Sequence, residues 1–404
     1  MHQTNRSVSF AAPVLACVAI VAAALLAGCG GSGGGTSTGT ANVMLADSPS
    51  CGYDHVYVTP DHIEISSDGN SWTTIPVNSG VGRIDLLNLN NGTLISLGQT
   101  PLTAGTYEQV RLVLAANGNS PPWANSVVLT GTIAEIALKT PSGQQSGYKI
   151  VGPFTVPAGS MADLVLDFNA CKSIVVAGAS GQYLLKPVVT AIAELVAGKI
   201  SGTTAPGSHV YAEQQANAGP VIVTGAVADP TTGAFTLWPL QQSITAGPVD
   251  VVIVPPPPAS GSSGPGTYIV QDVPVSAGST TSLGTLSPLA AAQIYAASGT
   301  VTVAGSAGAA NLTVDQMVTS TSVTPSMRTY EVASEETTTG TYSFPLAASG
   351  PWVGMYSTST ISFNSGLATP GPGIYSITAT DAAGASLTQS ANVSSGPASV
   401  DFSF

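Results

Sequence analysis

Residues 41–198 form a succession of short, strand-like runs that are separated by turn residues. The run Ala162–Asn169, with the sequence ADLVLDFN, shows an alternation of apolar and polar residues most clearly. Such alternation is typical of a β-strand, and no stretch of convincing length repeats apolar residues at the helical spacing. The pattern therefore predicts an all-β fold, made of tandem antiparallel β-sandwich domains.

The alternation in ADLVLDFN assigns its residues to two faces of a strand. The residues predicted to face the core are Leu164, Leu166 and Phe168. The residues predicted to face outward are Asp163, Val165 and Asp167. We therefore expect one face of this strand to lie at the surface of its domain.

The composition indicates folded domains with few charges. Only 7% of the residues are charged, against roughly 25% in an average soluble protein, while 44% are hydrophobic. A disordered chain usually lacks enough apolar surface to offset its conformational entropy. The hydrophobic fraction therefore argues against global disorder.

The distribution of charge excludes a nucleic-acid partner. The chain carries 9 basic and 21 acidic residues, which gives a net charge of −12. After Ile200, the only basic residue is Arg328. Because phosphate backbones are repelled by such a chain, we expect no binding to nucleic acid.

The amino-terminal segment has the features of an export signal. Residues 1–10 contain one Arg and no acid, and residues 11–27 are uncharged and rich in Ala, Val and Leu. This arrangement is typical of a secretory signal peptide; a retained transmembrane helix is the alternative. The sequence LAGC, which ends at Cys29, resembles the lipobox of bacterial lipoproteins. The resemblance implies that residues 1–28 are removed and that Cys29 carries the lipid.

The residues after Cys29 predict where the protein resides. Acyl chains on Cys29 would make release from a membrane negligible, since each buried methylene contributes about 0.8 kcal/mol. The next residue is Gly30, and not the Asp that retains lipoproteins at the inner membrane in enterobacteria-like sorting. We therefore expect a lipid-anchored protein of the outer membrane, on its periplasmic or surface-exposed side. Residues 29–40 are predicted to be the lipidated Cys and a Gly/Ser-rich tether.

Several segments of residues 41–198 occur in a characteristic order. They are MLADSP (44–49), RIDLLNL (83–89), LTAGTYEQVRL (102–112), SGYK (146–149), LDFNA (166–170) and LLKPV (184–188). This order resembles that of the domain of unknown function family DUF4382. The resemblance implies a β-rich domain over residues 41–198 of a bacterial lipoprotein, commonly followed by transthyretin-like or carboxypeptidase-regulatory-like sandwiches. It implies no catalytic residue.

A repeated sequence motif predicts two further modules. It reads TGAFTL at residues 232–237 and TGTYSF at residues 339–344. A turn followed by such a strand resembles the carboxypeptidase-regulatory-like fold. The resemblance implies one Ig-like or transthyretin-like sandwich over residues 199–289 and a weak repeat of it over residues 296–404.

Two cysteines remain in the exported chain after Cys29 is lipidated and Cys17 leaves with the signal peptide. In an oxidising compartment, leftover thiols usually pair. We therefore predict a disulfide between Cys51 and Cys171; two separate buried thiols are the alternative. Neither Cys lies in a spacing that is typical of a redox or zinc site.

The chain is poor in residues that could converge in a catalytic site. The histidines outside the signal peptide are His55, His62 and His209, and no zinc-binding or phosphate-binding motif occurs. We therefore predict no catalytic residue, no metal site and no cofactor. Trp123, in the loop-like sequence NSPPWAN, is the best candidate for contact with a glycan. A Trp in the core is the alternative.

These observations favour a non-enzymatic outer-membrane lipoprotein that acts as an envelope scaffold, adhesion or interaction module. Its expected partners are the membrane, through Cys29, and a glycan or another envelope protein. The alternative is a glycan-binding lipoprotein, by analogy between its sandwiches and carbohydrate-binding folds. A hydrolase is the third hypothesis, since two carboxylates on a β scaffold can form such a site.

Overall fold

Nearly all regular structure in this chain is β-strand. The computed structural model describes residues 37–48, 52–141, 147–177, 182–186, 188–194, 197–217, 219–287, 291–319, 326–365 and 367–404. Helical segments in these ranges are a 3-10 turn at Leu86–Leu89 and the single turns α1 (Ala170–Ser173) and α2 (Ser243–Ala246). The strands are rich in Val, Ile, Thr and Tyr, which pack well on a pleated surface. The predicted all-β class is confirmed.

The first module is built from three sheets around one hydrophobic core. Its strands are β1 (Thr38–Ser48), β2 (Tyr53–Val58), β3 (Pro60–Ser66), β4 (Thr73–Pro76), β5 (Ile84–Asp85), β6 (Ile95–Thr103), β7 (Gly105–Leu114), β8 (Ser126–Leu129), β9 (Glu135–Lys139), β10 (Tyr148–Val156), β11 (Met161–Asn169), β12 (Ile174–Ala177), β13 (Gln182–Leu185) and β14 (Val188–Ala193). The sheets have the strand orders β14-β11-β1-β6, β10-β7-β3-β4 and β12-β13-β9-β8-β2-β5.

Strand β11 carries the predicted core residues, but it is buried on both faces. It lies between β1, to which it is parallel, and β14, to which it is antiparallel. Leu164, Leu166 and Phe168 are buried as predicted. The outward assignment of Val165 and Asp167 was wrong, because these residues are 0% and 4% exposed. Val165 packs against Ala46 and against Trp238 of the second module, which covers this face.

Strand β1 begins at Thr38, so residues 38–40 of the predicted tether belong to a sheet. Thr38 pairs with Thr103 of β6, and the Thr40 N–H donates to the carbonyl of Ser160 at 2.9 Å. Because β6 and β11 satisfy backbone groups on both sides of β1, the strand extends further toward the amino terminus than its composition indicates.

The second and third modules continue the pattern of short strands. Those of the second are β15 (Ala197–Thr203), β16 (His209–Ala216), β17 (Gly219–Val227), β18 (Ala234–Gln241), β19 (Val249–Val254), β20 (Ser263–Pro265), β21 (Tyr268–Val273) and β22 (Thr280–Thr285). Those of the third are β23 (Ala291–Val303), β24 (Ser306–Ala307), β25 (Ala310–Thr319), β26 (Met327–Thr337), β27 (Thr341–Ala347), β28 (Trp352–Met355), β29 (Phe363–Asn364), β30 (Ala368–Thr369), β31 (Ile374–Asp381), β32 (Ser386–Asn392), β33 (Ala398–Ser399) and β34 (Phe402–Ser403).

The second and third modules share sheets. One sheet has the order β17-β16-β19-β21-β28-β29, in which β21 and β28 pair in parallel with Tyr268 opposite Trp352. Strand β20 pairs with β23 in the opposite direction. Main-chain hydrogen bonds therefore join two regions of the chain that the repeated motif predicted to be separate modules.

Candidate functional site

The three modules meet at a polar junction between strands β16 and β26. Alternate side chains of β16 point to the same face, and two of them bind the backbone of β26. Gln215 accepts from the Thr329 N–H at 3.1 Å and donates to the Thr329 carbonyl at 3.0 Å. Glu213 Oε2 accepts from the Glu331 N–H at 3.3 Å. These side chains take the place of a neighbouring strand along the edge of β26.

An ion-pair network from the second and third modules forms one side of the junction. Arg328 Nη1 donates to both carboxylate oxygens of Asp250, at 2.8 and 3.0 Å, and to Asp272 Oδ1 at 2.9 Å. The Tyr330 hydroxyl donates to Asp250 Oδ2 at 2.9 Å. Burial alone lowers the pKa of Arg328, but Asp250 and Asp272 outweigh it and raise that pKa. The guanidinium therefore stays charged in a buried position.

A carboxyl cluster forms the other side of the junction. Glu213 is 0% exposed, and its Oε1 atom has no hydrogen-bond partner among the described residues. Burial, and then the neighbouring Glu331, raise the pKa of Glu213 well above its usual range. Burial and Glu331 likewise raise the pKa of Asp315 to about 7, against the opposing charge of Lys172. The Lys172 ammonium of the first module lies 3.3 Å from Glu331 Oε2.

Glu336 ties the first module to the third. Its Oε1 atom accepts from the Val176 N–H at 2.7 Å, and its Oε2 atom accepts from the Tyr53 hydroxyl. Burial raises the pKa of Glu336, and the Tyr53 and Val176 hydrogen bonds oppose that shift. Contacts from the first module thus reach β26 at both Glu331 and Glu336.

A cleft of about 480 Å³ opens beside the junction. We call it the junction cleft. Residues of all three modules line it, among them Tyr53, His209, Tyr211, Pro255, Glu335 and Tyr375. The rings of His209 and Tyr211 stack with their centroids 6.2 Å apart. Burial lowers the pKa of His209, which favours the neutral imidazole.

The predicted site residues lie elsewhere in the chain. Cys29 and Cys51 fall outside the described residues, and Cys171 belongs to α1. The lipid anchor and the Cys51–Cys171 disulfide therefore stay predictions. Trp123 is half-buried and follows a cis peptide bond between two exposed prolines. Its contact with a glycan stays a prediction as well.

The remaining histidines stand on separate sheets. His55 Nδ1 is 2.7 Å from Asp85 Oδ2, and His62 Nδ1 is 2.7 Å from Asp61 Oδ2. Among the residues that the structure describes, no group of three or more His, Cys, Asp or Glu is placed to hold a metal ion. In the same ranges, no helix is long and apolar enough to cross a membrane.

Sequence reasoning did not identify the junction, although a signal is present. In HVYAEQQ, which starts at His209, the residues Val210 and Ala212 alternate with Tyr211, Glu213 and Gln215. We expect polar alternate residues of a strand to face solvent when only one module is considered. The available indications were the acid Glu213 in this set and Arg328 as the only Lys or Arg after Ile200.

Comparison with solved structures yields weak similarities. The Bacillus anthracis TIE protein is 11% identical over 91% of this chain and 51% of its own, with a TM-score of 0.16. A streptococcal ancillary pilin is 8% identical over 90% of this chain and 98% of its own, with a TM-score of 0.16. The Corynebacterium diphtheriae major pilin SpaA is 9% identical over 90% of this chain and 99% of its own, with a TM-score of 0.17. The chain spans about half of the length of the first of these structures.

Comparison with sequences is informative for the first module only. No curated protein sequence matches this chain. Residues 38–187 match the family model described as "Domain of unknown function (DUF4382)". That range agrees with the segments that carry the resemblance and contains strands β1–β13. The first module of this protein is therefore a DUF4382 domain, found at residues 38–187.

Proposed function

We propose that the protein is a non-enzymatic lipoprotein of the bacterial outer membrane, anchored through Cys29, that serves as a rigid scaffold or adhesion module of the envelope. The observation that carries this proposal is the junction, where polar contacts join all three modules and those between the second and third modules are buried. Interfaces between domains of one chain are usually small and permit relative motion. A shared sheet and a buried ion-pair network instead favour fixed module positions.

Contacts between the modules would keep them in place when force is applied to the chain. Arg328 of β26 pairs with Asp250 of β19, so that separation of the second and third modules would leave buried charges without partners. Lys172 and Tyr53 connect the first module to β26 through partly buried contacts with Glu331 and Glu336. A scaffold or adhesion module benefits from this arrangement, because modules held in fixed positions relative to one another transmit force.

A deletion and complementation experiment tests the proposal. In cells without the gene, we expect reduced attachment to surfaces or lower resistance of the envelope to detergent, and restoration by the wild-type gene. We expect Arg328→Met, which loosens the junction, to restore less than Arg83→Met, which alters a half-exposed ion pair. Equal restoration by both variants contradicts the role of rigidity. Turnover of a hydrolase substrate that one substitution abolishes contradicts the non-enzymatic assignment.

The anchor predicts a separate result. We expect Cys29→Ala to yield an unlipidated precursor that no longer fractionates with outer membranes, because the acyl acceptor is gone. Labelling with a fatty-acid analogue, followed by density-gradient fractionation, measures both effects. Conversion of Cys17, which lies within the apolar stretch, to Ala is the matched control and should change neither. Wild-type protein in inner-membrane fractions would contradict the sorting assigned from Gly30.

The Cys51–Cys171 disulfide is part of the same proposal, because an exported chain reaches an oxidising compartment. It would close a long loop within the first module. Non-reducing peptide mapping that finds both thiols free would reject it.

Glycan binding is the second candidate function. The observation in its favour is that Trp123 keeps exposed surface in a loop instead of packing within a core. Rings exposed in this way can stack on the apolar face of a sugar. Loss of glycan binding in Trp123→Ala, with the fold unchanged, tests this role.

A further inference from the structure

We propose that the junction cleft is a binding site for an uncharged saccharide, independent of Trp123. This inference goes beyond the scaffold function. It can be disproved while the scaffold function still holds. It is carried by three features of the cleft: the modules that line it, two polar side chains that lack a partner among the described residues, and the absence of Lys and Arg from its described lining.

The cleft has the size and position of a ligand site. At about 480 Å³ it lies within the range of roughly 300–1,000 Å³ that is usual for small-molecule sites. Such sites occur preferentially where domains meet. Tyr53 comes from the first module, Tyr211 from the second and Tyr375 from the third. The positions of all three modules therefore determine the shape of the cleft.

Two polar groups of β16 are left for a ligand. The Tyr211 side chain is half-buried, and its hydroxyl makes no hydrogen bond with a described residue. His209 Nδ1 is buried without a partner, while part of the residue remains accessible. In a neutral imidazole one ring nitrogen carries the proton and the other accepts, so His209 Nε2 can donate to or accept from a ligand according to the tautomer. Polar groups in such positions usually have partners.

The charges of the lining restrict the ligand. The described residues of the lining include no Lys or Arg, and burial lowers the pKa of His209, which favours its neutral form. An anionic ligand would therefore have no countercharge. Among the described lining residues, the one carboxylate that a cation would meet is Glu335, which already accepts from the Ser343 N–H at 3.1 Å. Burial also raises the pKa of Glu335, so a neutral ligand fits best.

The lining also favours a ligand with both apolar and hydroxyl surfaces. Pro255 and Leu346 offer apolar surface beside the stacked rings of His209 and Tyr211. A pyranose presents C–H faces to rings and hydroxyls at its edge, and each hydroxyl both donates and accepts. One sugar hydroxyl can accept from His209 Nε2 while another bonds to the Tyr211 hydroxyl. An uncharged saccharide satisfies all of these requirements together.

The test uses the full chain with Cys29→Ala, which carries no acyl chains, in one detergent without a sugar headgroup throughout, because the precursor keeps its apolar residues 11–27. The probes are an array of neutral oligosaccharides of hexoses and N-acetylhexosamines, and matched uronic-acid and sialylated versions. We expect binding of at least one neutral probe and weaker binding of its acidic counterpart. Calorimetry on the best neutral probe then measures the affinity of variants.

The variants separate the cleft from Trp123. Tyr211→Phe removes one hydroxyl and should weaken binding roughly 3- to 10-fold. Ala333→Phe fills the cleft from β26 and should weaken binding further. Tyr356→Phe, at a half-buried Tyr outside the cleft, and Trp123→Ala should both leave the affinity unchanged.

Four results would overturn the proposal. They are no binding to any neutral probe, tighter binding of the acidic probes, full affinity in both Tyr211→Phe and Ala333→Phe, and loss of affinity only in Trp123→Ala. Thermal unfolding of each variant shows whether the fold is retained. If Ala333→Phe does not fold, Tyr211→Phe decides alone, because this change preserves the ring.

Discussion

Replacement of Arg328 by Met is expected to lower the free energy of unfolding by about 3–5 kcal/mol. Arg328 is 6% exposed and Asp250 is 3% exposed. Met fills a similar volume but leaves the Asp250 carboxylate buried without its cation, and removal of one partner from a buried pair is far more costly than the pair's net contribution. Urea denaturation of the full chain carrying Cys29→Ala measures the loss, with both fluorescence and circular dichroism to follow the modules.

The same substitution at Arg83 is the matched control. Arg83 lies 2.8 Å from Glu135, and both side chains are about one-quarter exposed. Pairs that solvent reaches typically contribute about 0.2–1 kcal/mol, so Arg83→Met should have a much smaller effect. In the Arg328→Met background, Asp250→Asn should recover part of the lost stability, because it removes the unpaired charge. Equal effects of the two Arg substitutions, or no recovery, would show that the network is not what holds the junction.

The carboxyl cluster is expected to make the stability fall as the pH rises. Burial and the charge of Glu331 raise the pKa of Glu213 well above its usual range, and the pKa of Asp315 rises to about 7. A carboxyl with a raised pKa holds its proton in the folded state and loses it in the unfolded state. Its contribution to the free energy of unfolding is therefore fully present below the pKa of the unfolded state. This contribution is lost as the pH rises toward the pKa of the folded state.

For Asp315, this loss extends from about pH 4 to about pH 7, and for Glu213 it begins in the same region and continues upward. Within its interval, each group lowers the free energy of unfolding by about 1.4 kcal/mol for each unit by which the pH rises. The charged groups that face Glu213 are Glu331, Asp315 and Asp250, all of them acids. Lys172 is 3.3 Å from Glu331, and its side chain is 36% exposed, so that solvent screens its charge.

Glu213→Gln should remove the contribution of Glu213 to this pH dependence. The amide has nearly the same shape and keeps an oxygen that can accept from the Glu331 N–H. We expect the variant and wild type to be similarly stable at pH 5, and the variant to be more stable by about 1–3 kcal/mol at pH 8. Urea denaturation at pH 5, 6, 7 and 8 measures the difference.

Glu135→Gln serves as the control for this experiment. Glu135 lies outside the carboxyl cluster, in a partly exposed pair with Arg83, so its replacement by Gln should change the stability only slightly. A constant difference between wild type and Glu213→Gln would mean that Glu213 is already ionised in the folded chain. Such a result would mean that the junction does not hold Glu213 in its protonated form.

Local patterns in the sequence determined much of the fold. The turn-separated apolar runs predicted an all-β chain, and ordered segments predicted the DUF4382 domain that residues 38–187 carry. The core face of β11 followed from alternation alone, since Leu164 and Phe168 are buried. These predictions succeed because strand formation and the facing of side chains depend on neighbours a few residues away. The lipobox at Cys29 is a prediction of the same local kind.

Tertiary structure alone decided what the outer faces of the strands contact. Val165 and Glu213 occupy positions that alternation does not assign to a core, yet packing between modules buries both. Arg328 and Asp250 are 78 residues apart in the chain and meet where β26 packs against β19, with which it does not pair. A local pattern reports which residues share a face, whereas the burial and protonation of a charge depend on distant elements that cover that face. The junction and its cleft are therefore products of module packing.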